Sequence, residues 1–75
     1  MQQILIDRVS AEEKIAEGKW GDIDRTPGIL LNATIEELGE VAHAINHSEG
    51  GEAIRQEVVE TIGVLSRLYK MVIKI

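Results

Sequence analysis

The stretch from residue 26 to residue 47 reads TPGILLNATIEELGEVAHAINH and predicts a helix with a defined start. Thr26 suits the N-cap, and Pro27 suits the first helical position, where a missing N–H costs nothing. Steps of four and three residues then place five apolar side chains on one face, which predicts a buried stripe. The stripe consists of Leu31, Ile35, Leu38, Ala42 and Ile45, and Leu30, Thr34, Val41 and Ala44 widen it.

Further helices are predicted over residues 2–18 and 52–74, which together with the helix over 27–47 make an all-α bundle of about three helices. Ser10 and Glu13 have the spacing of a capping box, so a start of the first helix near residue 11 is the alternative. Gly18 is expected to end this helix. The connection over 19–26 holds Trp20, which is expected to cap the core or, alternatively, to stack on a nucleobase.

The last predicted helix is apolar over an unusually wide arc, so it is expected to contact more than one neighbour. Two other helices of one short chain barely cover such an arc, and chains of this size often need help from oligomerisation. We therefore expect a homodimer or homotetramer in which this helix meets its copy. The arc is formed by Ile54, Val58, Thr61, Leu65, Leu68, Val72 and Ile75, with Val59, Ile62, Tyr69 and Ile73 on its flank.

The length and the net charge of the chain limit the classes of protein to which it can belong. The 75 residues allow one domain, spanning 1–75, and a net charge of -5 without a basic run argues against nucleic-acid binding. The absence of cysteine suits a reducing cytosol, and the acidic N-terminus does not resemble a signal peptide, so a cytoplasmic protein is expected. No apolar run reaches the length that spans a membrane.

Residues 36–60, EELGEVAHAINHSEGGEAIRQEVVE, hold two pairs of carboxylates, each spaced i, i+3. This spacing puts Glu37 and Glu40 on one helix face, and Glu57 and Glu60 on another. The sixteen residues between the pairs allow an antiparallel hairpin that brings them together. Like charges that close repel unless a cation neutralises them, so the pattern predicts a Mg²⁺ site, with Mn²⁺ as a second candidate. The alternative is that both pairs lie on solvated helix faces.

The segments TPGILLNATIEELGEVAHAI and EAIRQEVVETIGVLSRL together resemble the MazG-like nucleotide pyrophosphohydrolases of the all-α NTP pyrophosphatase superfamily. The motif of that family is E-E-x-x-E followed, after a gap, by E-x-x-D. Glu36, Glu37 and Glu40 match its first part, Glu57 matches the next Glu, and Glu60 stands where Asp is usual. The resemblance covers residues 15–70.

The resemblance implies Mg²⁺-dependent hydrolysis of a nucleoside triphosphate to the monophosphate and pyrophosphate, often of non-standard nucleotides in a house-cleaning role. It implies that Glu37, Glu40, Glu57 and Glu60 bind the metal and that Glu36 orients or deprotonates the attacking water. It also implies a site that is often built from two subunits. The related hydrolysis of phosphoribosyl-ATP shares this chemistry.

Two departures from the family pattern favour an alternative in which the protein is not catalytic. Glu60 is longer by one methylene than Asp, and the sequence ends at Ile75, before the further helix with which many members contact substrate. The alternative is a non-catalytic member that acts as a helical oligomerisation or partner-binding module. Arg67, seven residues after Glu60, is a candidate phosphate contact, with a solvated Arg at a helix end as the other interpretation. His43 and His47, spaced i, i+4, are a candidate Zn²⁺ pair.

Overall fold

A computed structural model describes residues 1–20 and 26–73, and within them the chain forms three helices and no strand. The helices are α1 (Gln3–Trp20), α2 (Pro27–Asn46) and α3 (Gly51–Val72). The predicted all-α bundle is thus confirmed. The predicted bounds, 2–18, 27–47 and 52–74, differ from the observed ones by at most two residues, and residues 74–75 lie outside the described part.

The first helix is continuous through Ser10, so the alternative start near residue 11 is wrong. The prediction that Gly18 ends this helix is also wrong, because Lys19 and Trp20 are helical. A single glycine inside a helix costs only about 1 kcal/mol relative to alanine, which does not by itself stop the helix. Both predicted roles of Trp20 depend on its side chain, which lies outside the described part of the chain, as do residues 21–25.

The second helix begins as its sequence predicts. The Oγ1 atom of Thr26 accepts a hydrogen bond of 3.2 Å from the backbone N–H of Ile29, and Pro27 is the first helical residue. At the other end the N–H of His47 donates to the carbonyl of His43 at 2.9 Å. A short turn with positive φ at Ser48 and Gly50 then reverses the chain into α3.

The third helix is the centre of the bundle, because it packs against both α1 and α2. In the described ranges no Cα atom of α1 comes within 8 Å of one of α2. The broad apolar arc of α3 therefore meets two neighbours, as predicted. The apolar side chains buried among the three helices are few and are Val9, Leu30, Ala44 and Val59.

The predicted buried stripe of α2 is wrong for the single chain. Leu31, Ile35, Leu38 and Ile45 are each more than half exposed, and Ala42 is exposed as well. The residues that face α3 are instead Leu30, Thr34 and Ala44. The reason is that α2 has one helical neighbour within the described part of the chain, so only one of its apolar faces is covered. The larger apolar residues on the adjoining flank meet no partner within the described part of the chain.

The apolar arc of α3 is likewise not covered over its full width. Leu65, Tyr69 and Val72 are between 42% and 67% exposed, although their spacing continues the apolar pattern. Among the described residues, none of the helices is both long enough and apolar enough to cross a membrane.

Candidate metal centre

Three carboxylates from two helices meet across the α2–α3 contact. Glu37 projects from α2, whereas Glu57 and Glu60 project from successive turns of α3. One oxygen atom of each lies within 4.8 Å of an oxygen of the other two, and all three residues are half-buried. The short turn between the helices creates this cluster, because it sets α2 and α3 antiparallel with Glu37 opposite the Glu57–Glu60 turn.

Of the four carboxylates predicted to bind metal, Glu40 is the one that the structure leaves outside this group. It is exposed on α2, one turn beyond Glu37. Its charge nevertheless acts on the cluster, since it contributes to the raised pKa of Glu37 and of Glu57. Glu36, the candidate water-activating residue, is also exposed and does not belong to the group of three.

The cluster is electrostatically strained in the absence of a cation. Partial burial is the main cause that raises the pKa of Glu57 to about 7, followed by a hydrogen bond with Glu60 and repulsion from Glu60 and Glu37. Burial also raises the pKa of Glu37, as do the charges of Glu60 and Glu40. Protonation of Glu57 or binding of a cation would each relieve this repulsion.

The geometry and chemistry of the cluster fit a hard divalent cation. In an octahedral Mg²⁺ site with bonds of about 2.1 Å, ligand oxygens lie roughly 3 Å apart when adjacent and 4.2 Å when opposite. One oxygen of each of Glu37, Glu57 and Glu60 lies within 4.8 Å of the other two, which is close to these separations. Three carboxylates would leave further coordination positions for water or phosphate oxygens.

A pocket of about 200 Å³ opens beside the carboxylates and is lined by all three helices. Glu37 and Glu60 form part of its wall, so the pocket adjoins the cluster and shares two residues with it. Two cationic side chains, Lys19 of α1 and Arg67 of α3, also lie in the wall. The remaining lining residues are Glu12, Glu13, Ile15, Ala16, Gly63 and Val64.

Contacts between α1 and α3 hold the acidic wall of the pocket in place. Gln56 donates from Nε2 to Glu12 at 3.4 Å, and Lys70 donates from Nζ to Glu13 at 2.6 Å. The charge of Glu12 reaches across the pocket and contributes to the raised pKa of Glu37. Lys70, Ser66 and Arg67 together lower the pKa of Glu13, outweighing its burial, so this carboxylate is ionised.

The contribution of α1 to the site had a weak signal in the sequence, and that of α3 had a clearer one. Glu12 lies within the apolar stripe of Val9 and Ala16, and an acidic residue at such a position is unusual enough to mark a site. Lys19 was missed because its position in α1 depends on the helix continuing past Gly18. Arg67, the candidate phosphate contact, lies in the pocket wall.

The two histidines take part in local contacts at the far end of α2. Their rings stack with centroids 3.9 Å apart, His43 Nε2 lies 3.3 Å from Glu49, and a ring nitrogen of His47 lies 2.9 Å from the carbonyl of His43. Within residues 1–20 and 26–73 they do not join any group of three clustered metal ligands. These contacts favour a helix-end role over the Zn²⁺ hypothesis.

Comparisons of the chain with protein-family models, with curated proteins and with solved structures found no match. The resemblance to the MazG-like pyrophosphohydrolases therefore rests on the motif residues and their spacing.

Proposed function

We propose that the protein is a MazG-like nucleoside triphosphate pyrophosphohydrolase that depends on Mg²⁺ and releases a nucleoside monophosphate and pyrophosphate. The observation that carries the proposal is the convergence of Glu37, Glu57 and Glu60 at the edge of a pocket that also presents Lys19 and Arg67. Carboxylates can bind the metal ion while neighbouring cationic side chains bind the phosphate. A site with both kinds of charge therefore suits a metal–phosphate complex better than a site with one kind. Non-standard nucleotides are the substrate class that the resemblance suggests.

Glu37, Glu57 and Glu60 would hold the ion, with Glu40 adding negative charge from the rim. A bound Mg²⁺ neutralises phosphate charge and lowers the pKa of an attacking water. Lys19 and Arg67 would hold the phosphate chain in the pocket, the former as a mobile point charge and the latter as a planar fork. Glu36 remains the candidate, from the motif, that orients the water which splits the α–β anhydride bond.

Pyrophosphate release from a panel of canonical and modified nucleoside triphosphates, with Mg²⁺ or Mn²⁺, tests this proposal. We expect turnover by the wild type and a loss of about 100-fold or more in Glu57→Gln and Glu37→Gln, because each removes a metal ligand. Glu17→Gln, which changes an exposed carboxylate of α1, is the matched control and should retain activity. Absence of turnover on every nucleotide would contradict the proposal, and including phosphoribosyl-ATP in the panel separates the related activity.

A non-catalytic helical module on the same scaffold is the second candidate. The exposure of Glu36 and Glu40 and the small core favour it, since an assembly role needs no organised water-activating residue. It predicts that Glu57→Gln raises the free energy of unfolding by removing repulsion, while Mg²⁺ and nucleotide leave the melting temperature unchanged. The enzyme hypothesis also predicts that Glu57→Gln is more stable than the wild type in the absence of ligand. It differs in predicting that Mg²⁺ raises the melting temperature of the wild type.

A further inference from the structure

The pocket beside the carboxylates has an acidic end and a basic end. On both α1 and α3 its wall runs from a carboxylate through a small residue to a cation that lies seven positions further along the chain. The two series are Glu12, Ala16 and Lys19 on α1, and Glu60, Gly63 and Arg67 on α3. Each series falls within about 60° around its helix axis and covers about 10 Å along it, so it forms one continuous strip of the wall.

Contacts between α1 and α3 set the two strips in the same direction. Arg8 donates to Glu52 at 2.8 Å near the start of both helices, and Lys70 donates to Glu13 at 2.6 Å further along both. The carboxylates of the two strips therefore lie at one end of the pocket, where Glu37 joins them, and the cations lie at the other end. Because Lys70 offsets the charge of Glu13, the basic end keeps a net positive charge.

Gly63, between the two ends of the α3 strip, is a glycine that the fold itself does not require. It is buried inside a helix without a positive φ, where glycine is less favourable than alanine. Beyond its chain neighbours and the backbone of its own helix, the nearest described atom to an added methyl group would be Cγ of Glu12, at 3.7 Å. That is an ordinary van der Waals distance, so the packing of α1 on α3 does not exclude alanine.

The missing side chain of Gly63 leaves room in the middle of the pocket. A ligand that reaches from the carboxylates to the cations must pass the backbone of α3 at this position, and glycine permits such a close approach. The pocket volume of about 200 Å³ is below the roughly 300–1,000 Å³ of sites for drug-sized ligands, so a compact, charged group fits it best.

We propose that the pocket holds a chain of two or more phosphate groups lengthwise, and that Gly63 determines whether such a chain fits. A divalent cation at the acidic end would bind phosphate oxygens there, and Lys19 and Arg67 would bind the phosphate at the basic end. Because the ends lie about 10 Å apart along the helix axes, the pocket favours a phosphate chain over a single phosphate. The phosphate class of the ligand rests on the proposed function, whereas the dimensions and charges of the pocket do not.

Isothermal titration calorimetry with inorganic pyrophosphate and with orthophosphate, each in excess Mg²⁺, tests the inference. We expect the wild type to bind pyrophosphate at least about tenfold more tightly than orthophosphate, because pyrophosphate gains contacts at the second end of the pocket. Gly63→Ala should weaken pyrophosphate binding about tenfold and change orthophosphate binding less than about twofold. The reason is that the added methyl group obstructs only a ligand that crosses the middle of the pocket.

Melting temperatures separate the effect on binding from an effect on stability. Gly63→Ala should raise the melting temperature by about 5 °C, because alanine is the better helix former. Gly39→Ala is the matched control, since Gly39 also lies inside a helix but is exposed and does not line the pocket. It should raise the melting temperature similarly and bind both anions as the wild type does. Ala16→Leu fills the middle of the pocket from α1 and should also weaken pyrophosphate binding, which gives a second test.

Three results would overturn the inference: a wild type without preference for pyrophosphate, unchanged pyrophosphate binding in Gly63→Ala and Ala16→Leu, or a lower melting temperature in Gly63→Ala. The last would show that the fold itself needs the glycine. Binding is measured without turnover, so the two proposals can fail separately. If pyrophosphate binds as expected and no nucleoside triphosphate is hydrolysed, the proposed function fails alone. If triphosphates are hydrolysed and Gly63→Ala keeps the wild-type KM and pyrophosphate affinity, the inference about Gly63 fails alone.

Discussion

Glu57 is the residue of the site whose pKa reports most directly on the neighbouring carboxylates. It faces Glu60 one turn away on its own helix and Glu37 across the helix contact, and its pKa is raised to about 7 by burial and by these neighbours. Sequence spacing was enough to predict that Glu37, Glu57 and Glu60 approach one another. It could not predict that Glu40 stays outside, because that depends on the rotation of α2 about its axis.

The raised pKa of Glu57 gives the metal-free protein a distinctive pH dependence. Between its ordinary value of 4.5 and about 7 the folded state holds a proton that the unfolded state has lost. Stability therefore falls as the pH rises through this window, by on the order of 1–2 kcal/mol after allowance for the water that reaches the site. The raised pKa of Glu37 acts in the same direction.

Urea unfolding of the wild type and Glu57→Gln between pH 4.5 and 7.5, with chelator present, measures this effect. The variant should lose most of the fall in stability, whereas Glu17→Gln should keep it. Parallel curves for the wild type and Glu57→Gln would show that Glu57 titrates normally and that the cluster is not strained.

At the scale of the helices, the sequence patterns predicted where each helix lies in the chain better than they predicted which of its faces is buried. The start of α2 at Thr26 and Pro27 was predicted from capping chemistry. The spacing of its apolar residues correctly predicted a helix. The assignment of these residues to the interior was wrong because two adjoining faces of α2 are both apolar, and the sequence does not say which of them meets α3. The end of α1 was missed because a single glycine was taken as a stop.

The two residues by which α1 continues past Gly18 include Lys19, which lines the pocket. We expect Lys19→Gln to weaken binding of a non-hydrolysable triphosphate analogue about tenfold in the presence of Mg²⁺, the usual cost of losing one charge-assisted contact. Isothermal titration calorimetry gives the dissociation constants.

Lys14→Gln is the matched control on the same helix, because Lys14 is exposed and is not among the residues that line the pocket. It should bind the analogue as the wild type does. Equal losses in both variants would point to a general effect of net charge, and no loss in Lys19→Gln would remove Lys19 from the phosphate site.

At the scale of the whole molecule, α3 joins the bundle together, because it packs against both α1 and α2. It carries Glu57, Glu60 and Arg67 of the site, and its apolar residues Leu65, Tyr69 and Val72 are exposed. Length predicted a modest core, and the few buried apolar residues among those described agree with it. Which apolar residues of α2 are buried emerged only from the exposure of individual side chains, since the buried and the exposed stripes of α2 look alike in sequence.

The central claim is that the carboxylates of α2 and α3 share a divalent cation, and the melting temperature with and without Mg²⁺ tests it most directly. At fixed protein concentration and neutral pH we predict that saturating Mg²⁺ stabilises the wild type by about 2–3 kcal/mol, which for a domain of this size raises the melting temperature by roughly 10 °C or more. The rise should persist in Glu17→Gln and disappear in Glu57→Gln. A wild-type melting temperature that Mg²⁺ and Mn²⁺ leave unchanged, or an equal rise in Glu57→Gln, would contradict the account.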